Sequence, residues 1–302
     1  MKKITILLST YNGEKYIESQ LRSIKSQTII DDIHVVIRDD GSKDNTVNII
    51  ERWKNDLSLT LITGENVGVT NSFSSLISAA PNSEYYAFAD QDDIWNNNKI
   101  EKAIEYLKGY DNSKPTLYFS NAQIADENGI PVGRNVHEKN VDLELPKVMA
   151  CNPALGCTMV FNKKAMQLFR DTKIKKSPMH DKTMIILCLL LGHVVYDNNP
   201  SMLYRQHDNN VMARKNGILK RLKQFHRLWI KRDGVSLNEY AAEILDKTND
   251  VISNEDREIL TIFKNYKLNI KNRLKLIMTP MANTKKRKSN LSFKIRIFFG
   301  LA

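Results

Sequence analysis

The chain has 302 residues, of which 42% are hydrophobic, enough to build the core of one large domain or two small ones. Its cysteines (Cys151, Cys157 and Cys188) form no metal-binding pair of pairs. Because their number is odd, we expect no disulfide framework, which fits a reducing compartment. The longest apolar run, residues 184–191, is far shorter than the roughly 20 residues that cross a bilayer. Neither a transmembrane helix nor a secretory signal peptide is expected.

The net charge of +11 is concentrated in the last third of the chain. Residues 212–302 hold 21 Lys+Arg and 8 Asp+Glu, which leaves 24 and 26 of the chain's 45 and 34 for the first 211 residues. Such an uneven distribution predicts two regions with different electrostatic roles.

Strands and helices alternate in the first half of the chain. Apolar runs predict strands at 4–8, 33–37, 59–62, 85–89 and 116–119. Apolar residues at helical spacing between them predict helices around 17–24, 47–53, 73–77 and 100–107. This alternation is typical of βαβ units, so we predict an α/β fold with a mostly parallel, doubly wound sheet and flanking helices.

Beyond residue 125 the pattern is less regular. The polar segment 134–147 is predicted to be a loop or lid. Further elements are predicted in chain order: a strand at 159–161, a helix at 164–170, a buried helix at 184–191 and a strand at 193–196. From residue 217 onward helices are expected, with an apolar stripe within 219–229, and a basic run at 285–288 precedes an alternating basic and apolar ending at 293–299.

Three carboxylates, Asp90, Asp92 and Asp93, follow the fourth predicted strand within four positions. Like charges this close repel one another unless a cation or hydrogen-bond donors neutralise them. Mg²⁺ and Mn²⁺ prefer oxygen ligands, and open α/β sheets bind ligands at the carboxyl ends of their strands. The pattern therefore predicts a metal-bound phosphate substrate. The alternative is that Asp92 or Asp93 caps the helix that begins near Asn98.

Two other strand ends carry unusual polar residues. Ser9-Thr10-Tyr11-Asn12-Gly13 follows the first strand, and Asp39-Asp40-Gly41-Ser42 follows the second. A pyrimidine base needs an acceptor for its N3–H and a flat apolar face, which Asp39 and Tyr11 would supply. The alternative for the second segment is an ordinary Asp-Gly turn.

Together these two segments and Asp90-Gln91-Asp92-Asp93-Ile94-Trp95 resemble the signatures of family 2 glycosyltransferases with a GT-A fold. The resemblance extends over roughly residues 1–210. The Asp-Gln-Asp-Asp-Ile-Trp form, with the segment 204–210, is similar to the bacterial rhamnosyltransferase-like branch. The resemblance to family 2 glycosyltransferases implies a GT-A (Rossmann-like) domain and an inverting transfer of a sugar from a nucleoside diphosphate donor to an acceptor hydroxyl.

The resemblance also implies roles on the donor side. Thr10, Tyr11, Asp39 and Asp90 would hold the nucleotide sugar. Asp90 and Asp92 would form the aspartate-x-aspartate pair, with Asp92 the direct ligand of Mg²⁺ or Mn²⁺ and Asp93 the alternative ligand. His207 matches a position where related enzymes close the donor site, in some cases as a metal ligand. A structural histidine is the alternative there.

On the acceptor side, Asp181 stands where the family carries its catalytic base, and His180 would orient it. Lys182-Thr183 replaces the aromatic residues usual at this point, so the acceptor contacts depart from the family pattern. Gly156 and Cys157 match a small-residue segment that faces the acceptor. The alternatives are that Asp181 caps a helix, that His180 only packs, and that Gly156 belongs to a tight turn.

The basic ending is the basis for a membrane prediction. Clustered Lys and Arg attract anionic lipid surfaces, and the apolar residues of 293–299 could insert. We therefore expect peripheral association with the inner face of the cell membrane, beside a lipid-linked or saccharide acceptor. A solvated tail and a nucleic-acid-binding tail are the alternatives, but no nucleic-acid module is recognised and no such partner is predicted.

The function predicted on these grounds is that of a cytoplasmic, membrane-peripheral, metal-dependent glycosyltransferase. It would use dTDP-rhamnose to extend a surface polysaccharide such as a capsule, or its lipid-linked precursor. A catalytic domain at 1–211 (nucleotide-sugar half 1–125, acceptor half 126–211) would precede a helical, basic region at 212–302. The alternatives are a UDP-hexose-dependent transferase, a silent nucleotide-sugar-binding protein, and a pyrophosphorylase, although the last would need a glycine-rich loop that residues 9–13 lack.

Overall fold

The computed structural model describes residues 2–138, 140–207, 235–278 and 287–300. The chain divides into two compact units. The first unit comprises Met1–Val141, Ala154–Asp171 and Gly192–His207, and the second unit comprises Asp142–Pro153, Thr172–Leu191 and Asp208–Ala302. The predicted boundary between residues 211 and 212 lies outside the described residues, and the division of the chain at that point stays a prediction.

Nine strands within the described residues form one sheet in the first unit. They are β1 (Ile4–Thr10), β2 (Ile33–Asp39), β3 (Leu59–Thr63), β4 (Tyr85–Asp90), β5 (Ile94–Trp95), β6 (Thr116–Ala125), β7 (Pro131–Asn135), β8 (Met159–Asn162) and β9 (His193–Arg205). Their order is β3-β2-β1-β4-β8-β6-β9-β5, with β7 paired to β6.

The first four strands of the sheet run parallel, as their alternation with helices predicts. The strand β8 then enters antiparallel between β4 and β6, whereas β6 and β9 are again parallel. The α/β class with flanking helices is therefore confirmed.

Helices of both units follow the apolar periodicity of the chain. They are α1 (Ile17–Lys25), α2 (Thr46–Arg52), α3 (Val69–Ala79), α4 (Lys99–Lys108), α5 (Leu145–Ala150), α6 (Lys163–Thr172), α7 (His180–Leu191), α8 (Leu237–Thr248), α9 (Asn254–Asn265), α10 (Ile270–Met278) and α11 (Arg287–Phe298). In α1, for example, Ile17, Leu21 and Ile24 are fully buried. Their spacing puts them on one face, which packs into the core cluster of the sheet.

The central strands explain the continuous apolar runs of the sequence. Ile6, Leu7 and Leu8 of β1 are all fully buried. A strand at the centre of a parallel sheet is covered by helices on both faces, so its residues do not alternate between apolar and polar. This burial holds the strands in register and so sets where their carboxyl ends lie.

Two sequence predictions differ from the structure. The polar segment 134–147 is not all loop, because β7 pairs with β6 and α5 begins at Leu145. The strand predicted at 193–196 continues to Arg205, since it pairs with the long strand β6 at both of its ends, with shifts of register between Asp197 and Leu203. The predicted stripe at 219–229 lies outside the described residues. In the part of the chain that is described, no helix is long and apolar enough to cross a membrane.

Candidate active site

The carboxyl ends of β1, β2 and β4 meet at one edge of the sheet in the first unit. Thr10 pairs in register with Asp39, and Ser9 pairs with Asp90. The three polar segments found in the sequence are therefore neighbours in space. A crevice at this edge is where open α/β sheets bind their ligands.

Gln91 joins two of these segments. Its Oε1 accepts hydrogen bonds from Thr10 Oγ1 (2.5 Å) and from the backbone N–H of Tyr11 (2.9 Å). Its Nε2 donates to the backbone oxygen of Tyr11 (3.1 Å). Sequence reasoning missed Gln91, because a glutamine between aspartates carries no charge and no metal preference. The structure makes it the link between the turn after β1 and the acidic turn after β4.

Asp39 is held by its own turn. Its Oδ1 accepts the backbone N–H groups of Gly41 (3.1 Å) and Ser42 (2.8 Å), and the Ser42 hydroxyl donates to Oδ2. Gly41 has φ +82°, a conformation that favours glycine. These contacts form an ordinary Asp-Gly turn, and the role of Asp39 in holding a nucleotide stays a prediction. Tyr11, which follows β1 directly, is 42% exposed to solvent.

Asp92 and His207 are brought together from positions far apart in the chain. Asp92 Oδ2 lies 2.8 Å from His207 Nε2. The imidazole ring stacks on Tyr16 with the ring centroids 4.6 Å apart, and Arg205 Nε donates to the backbone oxygen of Asp92 (2.8 Å). The helix α4 takes Asn98 as its N-cap residue, so neither Asp92 nor Asp93 caps that helix.

Asp93, which follows Asp92 in the chain, is fully buried. Burial, and then the neighbouring Asp92 and Asp90, raise the pKa of Asp93 well above its usual value. Among the described residues neither of its carboxylate oxygens meets an ordinary hydrogen-bond donor, and the weak thiol of Cys157 opposes the shift without cancelling it. Burial and Asp93 in turn raise the pKa of the Cys157 thiol, so this sulfur is protonated at neutral pH.

The residues of this acidic group differ in how well they suit a divalent cation. Ligand atoms of Asp90, Asp93 and Cys157 lie within 4.8 Å of one another. A protonated thiol is a poor ligand, and thiolate sulfur is too soft for Mg²⁺. Asp92 and His207 offer a carboxylate oxygen and an imidazole nitrogen 2.8 Å apart, and the carboxylate is the kind of ligand that Mg²⁺ and Mn²⁺ prefer. The carboxylates of this group fit such a cation, and the assignment of its ligands to Asp92, Asp90 and His207, with Asp93 as the alternative ligand, stays a prediction.

A buried cation lies close to this acidic group. Lys99 Nζ donates to the backbone oxygen of Cys157 (2.9 Å) and to Ser201 Oγ (3.3 Å), and lies over the Trp95 ring. Burial lowers the pKa of Lys99 to about 8, against the opposing effect of Asp93. The sequence offered no signal for it, since a lysine at a helix start is normally solvated.

The residues predicted on the acceptor side fall in both units. Cys157 is buried beside Asp93 in the short 3₁₀ turn Gly156–Thr158 that precedes β8. His180 and Asp181 begin α7 in the second unit, and Asp181 Oδ1 accepts the backbone N–H of Lys182 (2.6 Å). Burial lowers the pKa of His180 to about 3, so its ring is neutral at pH 7. The acceptor-side and base assignments stay predictions.

Comparison with known proteins gives the family. Residues 5–151 match the family described as glycosyl transferase family 2. A dTDP-rhamnosyl transferase, RfbG of Shigella flexneri, is 30% identical over 248 residues, which cover 75% of this chain and 81% of that protein. This chain belongs to glycosyltransferase family 2. The resemblance drawn from the three sequence segments is confirmed.

Solved structures support the fold of this family 2 glycosyltransferase. The crystal structure of Staphylococcus aureus TarS residues 1–349 in complex with UDP-GlcNAc matches with a TM-score of 0.62 at 19% identity, over 98% of this chain and 81% of that one. The mannosyltransferase PcManGT of Pyrobaculum calidifontis, in complex with GDP-Man and Mn²⁺, matches with a TM-score of 0.51 at 16% identity, over 99% and 88%. At these identities the likeness establishes the fold alone, and it confirms the predicted GT-A architecture.

Proposed function

We propose that this family 2 glycosyltransferase is a metal-dependent, inverting enzyme that transfers rhamnose from dTDP-rhamnose to a hydroxyl of a surface polysaccharide, such as a capsule, or of its lipid-linked precursor. The observation that carries the proposal is the pairing of Asp92 Oδ2 with His207 Nε2, 2.8 Å apart, beside the strand ends that hold Thr10 and Asp39. The choice of donor rests on the relative RfbG, a dTDP-rhamnosyl transferase.

On the donor side, Asp39 would accept the N3–H of the pyrimidine while the ring of Tyr11 covers the base. Thr10 lies in the same turn as Tyr11 and is hydrogen-bonded to Gln91.

Asp92, Asp90 and His207 would hold Mg²⁺ or Mn²⁺ near the two phosphates. When bound, such a cation neutralises the negative charge that develops on the leaving diphosphate.

On the acceptor side, the Asp181 carboxylate would act as the general base. It takes the proton of the acceptor hydroxyl, and the oxygen forms a bond to the anomeric carbon of the sugar. The bond from that carbon to the diphosphate oxygen breaks with its electron pair, so the nucleoside diphosphate leaves and the configuration inverts. His180, neutral at pH 7, would help to position Asp181, and Gly156 and Cys157 would border the acceptor.

A lipid-linked acceptor requires the enzyme to work at a membrane. We assign catalysis to residues 1–211 and membrane association, on the inner face, to the basic region 212–302, whose surplus of Lys+Arg over Asp+Glu is 21 against 8. Anionic lipid attracts such a region by about 1 kcal/mol per basic residue near the surface.

The test is a thermal-shift panel of dTDP, dTDP-rhamnose, UDP and UDP-hexoses, each with and without Mn²⁺. A ligand at 100 times its Kd stabilises the folded state by about 2.7 kcal/mol. We expect that shift with dTDP-rhamnose and Mn²⁺, and its loss in Asp92→Asn. The matched control is Asp31→Asn, an exposed carboxylate just before the amino end of β2.

Transfer assays complete the experiment. Asp181→Asn should retain donor binding and lose about 10²- to 10⁴-fold in kcat, the usual contribution of a general base. Selectivity for UDP would replace rhamnose by a hexose within the same enzyme class. No shift with any pyrimidine diphosphate would refute donor binding and favour a silent site, and full activity of Asp181→Asn would refute the base.

A further inference from the structure

The helix α10 in the second unit exposes an apolar stripe. Ile270, Leu274 and Met278 are all exposed, Met278 to 80%. Their spacing of four residues places them on one face of the helix. Leu276, on the opposite face, is fully buried. The exposed stripe is therefore additional to the face that α10 uses for packing.

The helix α11 has the same arrangement. Phe293 and Ile297 are buried, whereas Leu291, Ile295 and Phe298 are exposed, Leu291 to 63%. The three exposed side chains lie three or four residues apart and share a face. Phe299, just after the helix, is also exposed.

The two helices are held together within the second unit. Arg273 of α10 donates through Nη1 to the backbone oxygen of Phe298, at the end of α11 (3.2 Å). We call the two exposed apolar faces the paired stripes: Ile270, Leu274 and Met278 on α10, and Leu291, Ile295 and Phe298 on α11. Large exposed apolar patches on a folded protein mark contact with another apolar phase or partner.

The charge around the paired stripes favours one kind of partner. From residue 259 to residue 302 the chain holds 11 Lys+Arg and no Asp or Glu. Lys271 and Lys275 each follow a stripe residue directly on α10 and are exposed, and Lys294 precedes Ile295 on α11. Basic side chains flanking an apolar face are the pattern of helices that lie in the interface of an anionic bilayer. A nucleic acid would need the positive charge but would leave the apolar side chains in water.

We propose that the paired stripes are a membrane-docking surface. Their apolar side chains would enter the interfacial layer of an anionic bilayer, while Lys271, Lys275 and Lys294 contact lipid phosphates. The proposal rests on the proposed function in one respect, since a lipid-linked acceptor gives the membrane contact its purpose. The membrane contact is thereby assigned to the exposed faces of α10 and α11.

The experiment uses the full chain and sedimentation with vesicles, either pure phosphatidylcholine or phosphatidylcholine with 30% phosphatidylglycerol. We expect binding to the anionic vesicles that weakens at 0.5 M salt. Leu274→Gln combined with Phe298→Gln should weaken binding by at least about tenfold, because two apolar side chains that would enter the bilayer are lost. Lys271→Gln combined with Lys275→Gln should weaken it by about fivefold for each lysine.

The matched control is Val132→Gln, since Val132 of β7 in the first unit is 43% exposed and Phe298 is 44% exposed. This control should bind vesicles like the parent, and all variants should keep the parent melting temperature because the replaced side chains are exposed. Transfer to a soluble acceptor should be unchanged in the Leu274/Phe298 variant, so a failure of docking is distinguishable from a failure of the enzyme.

Three results would overturn the proposal. They are the absence of vesicle binding by the parent chain, equal binding by the parent and the Leu274/Phe298 variant, and a dimer of the parent that the same variant abolishes. The last would identify a second copy of the chain as the partner of the paired stripes.

Discussion

At the scale of single residues, the contact of Gln91 with Thr10 and Tyr11 depends on the absence of a side chain at Gly13. A Cβ atom at Gly13 would lie 2.2 Å from Gln91 Oε1. That oxygen is the end of a flexible side chain, so alanine at position 13 would displace the Gln91 amide more easily than it would distort the fold. The amide holds the turn proposed to bind the nucleoside against the turn proposed to bind the metal.

We therefore expect Gly13→Ala and Gln91→Ala to weaken nucleotide binding by a similar factor. Each of the three hydrogen bonds of Gln91 contributes about 0.5 to 1 kcal/mol, so their loss predicts a Kd about tenfold to 150-fold higher. Because both changes remove the same contact, the double variant should be no weaker than either single variant. Calorimetric titration with dTDP and Mn²⁺ measures this.

The control for that cycle is Gly109→Ala. At Gly109, after α4, an added Cβ meets only the Tyr106 carbonyl oxygen, at 3.3 Å. Additive losses in the double variant would show that Gly13 and Gln91 act independently, and would contradict the dependence of the Gln91 contact on Gly13.

At the scale of secondary-structure elements, Lys99 joins three elements through one buried amine. It begins α4, donates to the backbone of the turn before β8, and donates to Ser201 of β9. Burying an amine costs free energy unless its N–H groups are hydrogen-bonded. Here two oxygens accept hydrogen bonds from the Lys99 amine, which also lies over the face of the Trp95 ring. The amine therefore ties the turn that carries Cys157 to the strand that leads to His207.

Removing this amine should change how stability depends on pH. The pKa of Lys99 is about 8 in the folded protein and 10.5 in the unfolded chain. Between these values the unfolded chain holds more protons, so Lys99 makes the free energy of unfolding rise with pH, by at most about 1.4 kcal/mol per pH unit. Lys99→Met should lack that rise, and its loss of stability relative to the parent should grow from pH 8 to pH 10.

Urea unfolding of the parent and of Lys99→Met at pH 7, 8, 9 and 10 measures the effect. The cysteine thiols of the unfolded chain titrate in the same range in both proteins, so their contribution cancels from the difference between the two curves. A difference in stability that stays constant across this range would contradict a depressed pKa.

At the scale of the whole molecule, each unit buries a titratable group that makes the stability of the fold depend on pH. The two groups act with opposite sign as the pH falls. In the first unit Asp93 has a raised pKa and so favours the folded state at low pH. In the second unit His180 has a pKa of about 3, against 6.5 in the unfolded chain. Acid therefore protonates His180 in the unfolded chain first, which destabilises the fold as the pH falls below 6.5.

We expect His180→Gln to reduce this acid sensitivity. Between pH 6.5 and 3 the parent should lose up to about 1.4 kcal/mol per pH unit through His180, and the variant should lack that part. Urea unfolding at pH 4.5, 5.5 and 7.5 measures it, with pH 7.5 as the internal control because the histidine is then neutral in both states. Equal pH dependence of the two proteins would show that the ring is charged inside the fold.

The sequence alone determined the α/β class and the identity of the three segments at the sheet edge. Both depend on local signals: strands buried on two faces are apolar throughout, helices repeat every three or four residues, and glycines and aspartates mark the turns. The place of Asp39, Asp90 and Asp92 at this edge could be predicted, because they lie at or just after strand ends and parallel strands have their carboxyl ends together.

Only the tertiary structure decided which side chains contact one another across long stretches of chain. The Gln91–Thr10 contact joins residues 81 apart, and the Asp92–His207 pair joins residues 115 apart. The buried Lys99 depends on an oxygen 58 residues away. Such contacts follow from the packing of the sheet, which no local periodicity encodes. Exposure of the paired stripes was decided in the same way, because an apolar residue on a helix shows which face it covers only once its neighbours are in place.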